Sequence, residues 1–313
     1  MNVLLTGATG FIGSRLAQVL NEKTGTDLVC AVRQKNDELP GRQVVVPGLD
    51  SQTDWVSVLN GQDAVIHVAA RAHVLKDEVV DPPSEYRRVN LEGTLKLARQ
   101  AAEAGIRRFL FVSSIGVNGN RNTRPFKEGD EPLPAEPYAR SKWEAEQGLW
   151  EIAKSTGMEI VIIRPPLVYG PNAPGNFGSL VKWVGRGVPL PLGAIHNKRS
   201  LVSLDNLVDL IITCIDHPAA ANQVFLAGDG RDISTTELLR GVGRAMGKPT
   251  RLIPVPAGML MLSAGLLGKK DVAQRLLGSL QVDISKARTV LGWEPPLSVE
   301  EGLRRCFDSE SVS

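Results

Sequence analysis

Short runs of consecutive apolar residues recur along the first half of the chain, at Val3–Thr6, Leu28–Val32, Val44–Val46, Ala64–Val68, Phe109–Val112 and Ile160–Ile163. Each has the length of a strand and lacks the alternation of a sheet with one wet face. Between most of them lie segments whose apolar positions return every three or four residues: Phe11–Glu22, Trp55–Leu59, Tyr86–Ala104 and Tyr138–Ser155. Strands without a wet face need cover on both sides, which helical crossovers supply. The pattern therefore predicts an α/β fold with a doubly wound parallel sheet.

After Arg164 the texture changes to Pro/Gly-rich sequence through Leu192, then to helical stretches at Asp205–Asp216, Thr235–Met246, Ala257–Leu267 and Ser298–Phe307, with one more strand-like run at Asn222–Ala227. Residues 1–170 are expected to form the large unit, taking back about 205–227, and residues 171–313 mainly a substrate-binding region, because loops beyond the carboxyl ends of strands shape α/β pockets. The apolar run Leu252–Gly268 holds two prolines and three glycines and is short for a bilayer, so it reads as a core helix. Residues 1–13 lack a basic leading segment and read as strand and turn, not as a secretion leader.

Lys and Arg number 36 against 34 Asp and Glu, a net charge of +2, which gives no broad footprint for nucleic acid or an anionic membrane. Cys30, Cys214 and Cys306 are far apart with no CxxC, which suits a reducing, cytoplasmic setting with inert thiols. No metal is expected, since His67 and His73 stand six apart and no cluster has ligand spacing.

Thr6-Gly7-Ala8-Thr9-Gly10-Phe11-Ile12-Gly13 follows the first strand and opens the first helix. Glycines there let backbone approach a pyrophosphate at a helix N-terminus, so Gly7, Thr9, Gly10, Phe11, Ile12 and Gly13 are candidate cofactor contacts in a Rossmann-type unit. An acidic residue some 20 positions on would bind the ribose of NAD. Arg33 stands there instead, with no Asp or Glu between Leu28 and Lys35, which favours NADP(H) while leaving NAD(H) open. Tyr138 and Lys142 lie at i and i+4 on one helix face behind Pro137. The lysine's charge is expected to lower the tyrosine pKa and make Tyr138 a proton donor or acceptor at a carbinol oxygen.

TGATGFIG, Val65-Ile66-His67-Val68-Ala69-Ala70, Phe111-Val112-Ser113-Ser114, the YxxxK pair and Arg164-Pro165-Pro166-Leu167-Val168-Tyr169-Gly170-Pro171 together resemble the extended short-chain dehydrogenases/reductases, and the resemblance runs on to Leu291-Gly292-Trp293. It implies that Ser114 hydrogen-bonds the reacting oxygen, Tyr138 is the acid/base, and Lys142 holds nicotinamide-ribose hydroxyls and tunes the tyrosine. It further implies that Asn90 supports the site, that Leu49, Ala69, Ala70 and Pro165 line the cofactor, and that the chain forms a homodimer through the YxxxK helix and the long helix before it.

Members of this family commonly act on nucleotide sugars. The lack of a carboxylate beside Ser114 disfavours a dehydratase or decarboxylase, and Arg33 with Asn118, where epimerases usually have tyrosine, tilts the expectation to a reductase. Arg71–Asp77, Asn197–Val202 and Gly278–Asp283 look similar to 4-ketoreductases of the UDP-N-acetylquinovosamine type, serving surface polysaccharide synthesis. On that resemblance Asn118 meets substrate, Arg199 the sugar diphosphate, Asn176 a site near the phosphates, and Val188–Leu192 the base. The alternatives are a UDP-sugar 4-epimerase with tightly bound NAD and a non-catalytic dinucleotide-binding regulator.

Overall fold

The computed structural model describes residues 1–72, 81–268 and 270–308; the Asp271 side chain is not described. Seven parallel strands form the main sheet: β1 (Asn2–Thr6), β2 (Asp27–Val32), β3 (Arg42–Val45), β4 (Ala64–His67), β5 (Arg108–Val112), β6 (Glu159–Arg164) and, returning late in the chain, β9 (Gln223–Leu226). Their order is β3-β2-β1-β4-β5-β6-β9. A separate two-stranded parallel sheet joins β7 (Leu167–Tyr169) to β8 (Leu201–Ser203). The chain leaves β1 in one direction and resumes at β4 on its other side, so the carboxyl ends of β1 and β4 flank the crevice where such sheets bind ligands.

The central strands β1, β4 and β5 are almost wholly buried, as runs without alternation require. One face is covered by α1 (Phe11–Glu22), α7 (Leu204–Asp216) and α11 (Ser285–Leu291), with Leu16, Leu20, Leu207 and Ile211 in one apolar cluster. The other carries α2 (Val56–Leu59), α4 (Thr94–Glu103) and α5 (Pro137–Thr156), with Leu97, Ala101, Leu149 and Ile152 packed inward. A third cluster joins α6 (Gly175–Gly185), α8 (Thr235–Ala245) and α12 (Val299–Arg305) around Tyr169 and Phe177. Burial pushes the Cys30 thiol up to about 11 and those of Cys214 and Cys306 to about 12, so they stay protonated.

Two expectations are corrected. The single helix predicted over Tyr86–Ala104 is three pieces: α3 (Pro82–Tyr86), a π-helical stretch Arg87–Gly93, and α4. Gly93 runs so close to Leu49 that a Cβ would lie 2.8 Å from its carbonyl carbon, and the widened turn carries Asn90 inward. The second concerns Leu252–Gly268. Helix α9 (Ala257–Leu266), followed by α10 (Lys270–Leu277), contains no fully buried residue and is not a core helix. Only one of its sides, with Ala257 and Leu260, packs against the third cluster. Among the described residues no helix is long and apolar enough to cross a membrane.

Candidate active site

The glycine-rich turn closes around backbone. Gly7 has φ +76°, and a Cβ there would lie 2.6 Å from the Ala69 nitrogen beyond β4; a Cβ on Gly13 would lie 2.0 Å from the Gly7 carbonyl oxygen. Both positions therefore require glycine for α1 to start hard against the ends of β1 and β4. Gly10 caps α1 without a side-chain acceptor, and the first turn, with Phe11, Ile12 and Gly13, contains no carboxylate. Its N–H groups lack intrahelical acceptors and sit at the positive end of the helix dipole, a donor set that fits a dinucleotide pyrophosphate. Thr9 and Gly10 are exposed at the crevice, Ala69 and Ala70 are half-buried opposite, and Arg33 is exposed directly after β2.

Lys142 is buried on α5. Its Nζ donates to the Val112 carbonyl at 2.9 Å and lies 4.3 Å from the centre of the Phe111 ring. Burial pulls its pKa down to about 7, against a smaller upward pull from Glu146. Tyr138, one turn earlier, stands edge-on to Tyr86 with ring centroids 6.0 Å apart. Shielding from water pushes its phenol up to about 12, and Tyr86 adds to the rise. The expected lowering of the tyrosine by the lysine is thus not found: burial, then Tyr86, set the direction of its shift. The Lys142 ammonium is directed at a carbonyl and a ring face.

Ser114 follows β5 and caps a short 3₁₀ turn, its Oγ accepting the Gly116 N–H at 3.1 Å. A Cβ on Gly116 would lie 3.3 Å from Ser114 Oγ and 3.1 Å from Ala139 Cβ, so the serine and the first turn of α5 flank the same small gap. Pro165, buried after β6, accepts the Ile115 N–H at 3.0 Å and fixes the loop behind Ser114. Leu49 is half-buried against Gly93. Asn90 is fully buried: its Oδ1 accepts the Arg71 N–H at 2.8 Å, and its Nδ2 donates to the Arg71 carbonyl at 3.0 Å and to Ser141 Oγ at 3.1 Å. Ser141 Oγ donates in turn to the Tyr138 carbonyl at 2.7 Å, which ties the π-helical turn to the helix that carries Tyr138 and Lys142.

Two groups here escaped the sequence reading. His67, at the end of β4, bridges Thr6 Oγ1 at 2.6 Å and Thr94 Oγ1 at 2.9 Å, and burial followed by the Lys142 charge drives its pKa down to about 3. Glu146, one turn beyond Lys142, is fully buried; it accepts Ser113 Oγ at 2.5 Å and forms a two-pronged pair with Arg164 at 3.0 and 2.5 Å. The spacing Tyr138, Lys142, Glu146, with Arg164 opening its own motif, was the available signal.

The substrate candidates are dispersed. Asn118 is corrected: it is fully buried, with Oδ1 accepting from Arg164 at 3.0 Å and Nδ2 donating to the Lys127 carbonyl at 3.1 Å, so both ends of its amide serve the core. Arg199 is largely enclosed and donates to the carbonyls of Arg275 and, at 3.4 Å, Gly278; burial lowers its pKa. Asn176 is exposed in the first turn of α6. Within Val188–Leu192, Leu190 uses both backbone groups to pair with residues 251 and 253. Of the Arg71–Asp77 stretch, His73 onward lies outside the described residues.

The profile of the NAD dependent epimerase/dehydratase family matches residues 3–228. The chain is 48% identical over 307 residues to a UDP-glucose 4-epimerase of Vibrio cholerae, covering 97% of this chain and 94% of that one. It is 29% identical over 328 residues to the N-acetyl-alpha-D-glucosaminyl-diphospho-ditrans,octacis-undecaprenol 4-epimerase of Escherichia coli O157:H7, covering 99% and 96%. Its fold is similar to the crystal structure of UDP-glucose 4-epimerase with UDP-glucose from Thermotoga maritima, with TM-score 0.78, 25% identity and coverage of 100% and 98%. These likenesses to 4-epimerases overturn the expectation of a 4-ketoreductase. Of its two supports, Asn118 serves the core and Arg33 bears on the cofactor, not on the reaction. With the glycine turn, the paired tyrosine and lysine and the sheet order all in place, the chain belongs to the NAD dependent epimerase/dehydratase family.

Proposed function

We propose that this protein is a UDP-sugar 4-epimerase, inverting C4 of a hexose held through its diphosphate. The observation that carries the reading is the 48% identity to the Vibrio cholerae UDP-glucose 4-epimerase across nearly the whole chain; it is supported by Ser114 standing beside the first turn of the helix that carries Tyr138 and Lys142. Bound nicotinamide dinucleotide supplies the capacity to accept and return a hydride. Gly7, Gly10, Gly13 and the first turn of α1 would hold its pyrophosphate, with Leu49, Ala69, Ala70, Asn90 and Pro165 around it. Ser114 orients the C4 oxygen; Tyr138, as phenolate, takes the C4 hydroxyl proton to become the phenol and gives it back when the hydride returns; and Lys142 holds ribose hydroxyls, its positive charge favouring the phenolate form. Arg199 would pair with the sugar diphosphate once released from the Arg275 carbonyl, and Asn176 would stand near the phosphates.

Our reading of the cofactor is NAD. An epimerase regenerates its cofactor in each cycle and draws nothing from an NADPH pool, so Arg33 alone does not decide for the phosphorylated form. A homodimer through α4 and α5 is part of the proposal. The test is UDP-glucose deuterated at C4: the label should remain at C4 in the UDP-galactose formed, and its loss to water would refute hydride return.

A further inference from the structure

We infer that α9 and its basic flanks dock this protein on an anionic lipid surface, beside the mouth of the proposed site. The segment Leu252–Gly268 contains no charged residue, yet it is not interior. Met259, Leu262 and Leu266 lie on one face of α9 and are 64%, 70% and 83% exposed, with Leu267 at 72% and Ile253 at 50% beside them. Scattered apolar side chains are ordinary on a surface, whereas a contiguous stripe marks a contact.

Charge says what the contact is. Residues 248–278 hold five Lys and Arg against one Asp, a net +4, while the whole chain carries only +2 and its remainder is therefore negative. Lys248, Arg251 and Lys270 are exposed on either side of the apolar stripe. Arg275 is paired with Glu136 at 2.6 Å. An apolar helix with cations at both ends suits the boundary between acyl chains and anionic headgroups. A two-fold pairing of α9 with a second copy would set basic ends against basic ends in either orientation. At 10 residues, roughly 15 Å, α9 lies on a membrane and does not span one. The near balance of total charge hid this segregation, which is why the sequence pointed to no membrane partner.

The patch is coupled to the site. Helix α10 follows α9 directly; its Arg275 carbonyl accepts from Arg199, and the Arg275 guanidinium pairs with Glu136, the residue that starts the Tyr138 helix. Docking would present the sugar-diphosphate side of the crevice to the lipid surface.

Co-sedimentation of the whole protein with vesicles tests this without reference to catalysis, so its failure is separate from failure of the epimerase reading. Binding is expected to vesicles of phosphatidylcholine with phosphatidylglycerol, to weaken in high salt, and to be absent with phosphatidylcholine alone. Leu262→Asp/Leu266→Asp and, as a second variant that leaves the helix intact, Arg251→Glu/Lys270→Glu should each reduce binding about tenfold or more while leaving UDP-glucose interconversion unchanged. No binding to anionic vesicles would overturn the inference. So would a dimer that Leu262→Asp/Leu266→Asp dissociates in analytical ultracentrifugation, which would make the face an interface between copies.

Discussion

At the scale of single residues, the proposed chemistry rests on a half-buried phenol and a buried ammonium. Tyr138→Phe is expected to lower kcat by about 10²–10⁴-fold while cofactor still co-purifies, read by turnover and absorbance of the isolated protein; unchanged turnover would remove Tyr138 from the mechanism. His67 gives a pH prediction with a definite sign. It is held neutral with a folded pKa of about 3 against an unfolded value of 6.5, so the unfolded chain binds the extra proton between those values. Its contribution is complete above pH 6.5 and is lost as pH falls toward 3, on the order of 2 kcal/mol by pH 5. Urea unfolding at pH 7 and pH 5 should show a drop that His67→Asn reduces, and equal drops in both proteins would contradict it. Tyr138 and Lys142 were legible because their spacing on a helix is a local fact. The role of Asn118 was not, because whether an amide faces a pocket or Arg164 is decided by a strand 46 residues away.

At the scale of elements, α5 carries Tyr138, Lys142 and Glu146 at four-residue intervals down one side. Glu146 fastens that side to Ser113 at the end of β5 and Arg164 at the end of β6, so one buried carboxylate locks three site-bearing segments together. Glu146→Gln leaves Arg164 buried without its counter-charge and should cost about 3–5 kcal/mol of stability in denaturant titration. A loss below about 1 kcal/mol would show the pair to be dispensable. Gly13→Ala forces a methyl to 2.0 Å from the Gly7 carbonyl. It should abolish cofactor retention and lower Tm, and a variant that keeps both would mean the turn relaxes freely. Strand runs and the amphipathic periods of α1 and α5 were readable because burial on both faces or one leaves a plain pattern. The π-helical turn was not, since its cause is the close passage of Leu49 beside Gly93. Nor was the surface position of α9, because an apolar run looks the same whether protein or another phase is to cover it.

At the scale of the whole molecule, the sheet reverses between β1 and β4, and the glycine turn, Ala69, Ser114 and the start of α5 all gather at the carboxyl edge of that sheet. Alternation of strands and helices foretold this architecture, since covering both faces of a parallel sheet admits few other arrangements. The choice between reducing a ketone and inverting a carbinol was not foretold. On the family resemblance both reactions use the same serine, tyrosine and lysine, and they differ in whether the hydride returns to the sugar it left. The most direct test is proton NMR of UDP-glucose incubated with the protein alone, without added nicotinamide cofactor. The account predicts conversion to an equilibrium mixture with UDP-galactose. UDP-glucose left unconverted, together with stoichiometric NADPH oxidation when a 4-keto-6-deoxy UDP-sugar is supplied, would contradict it.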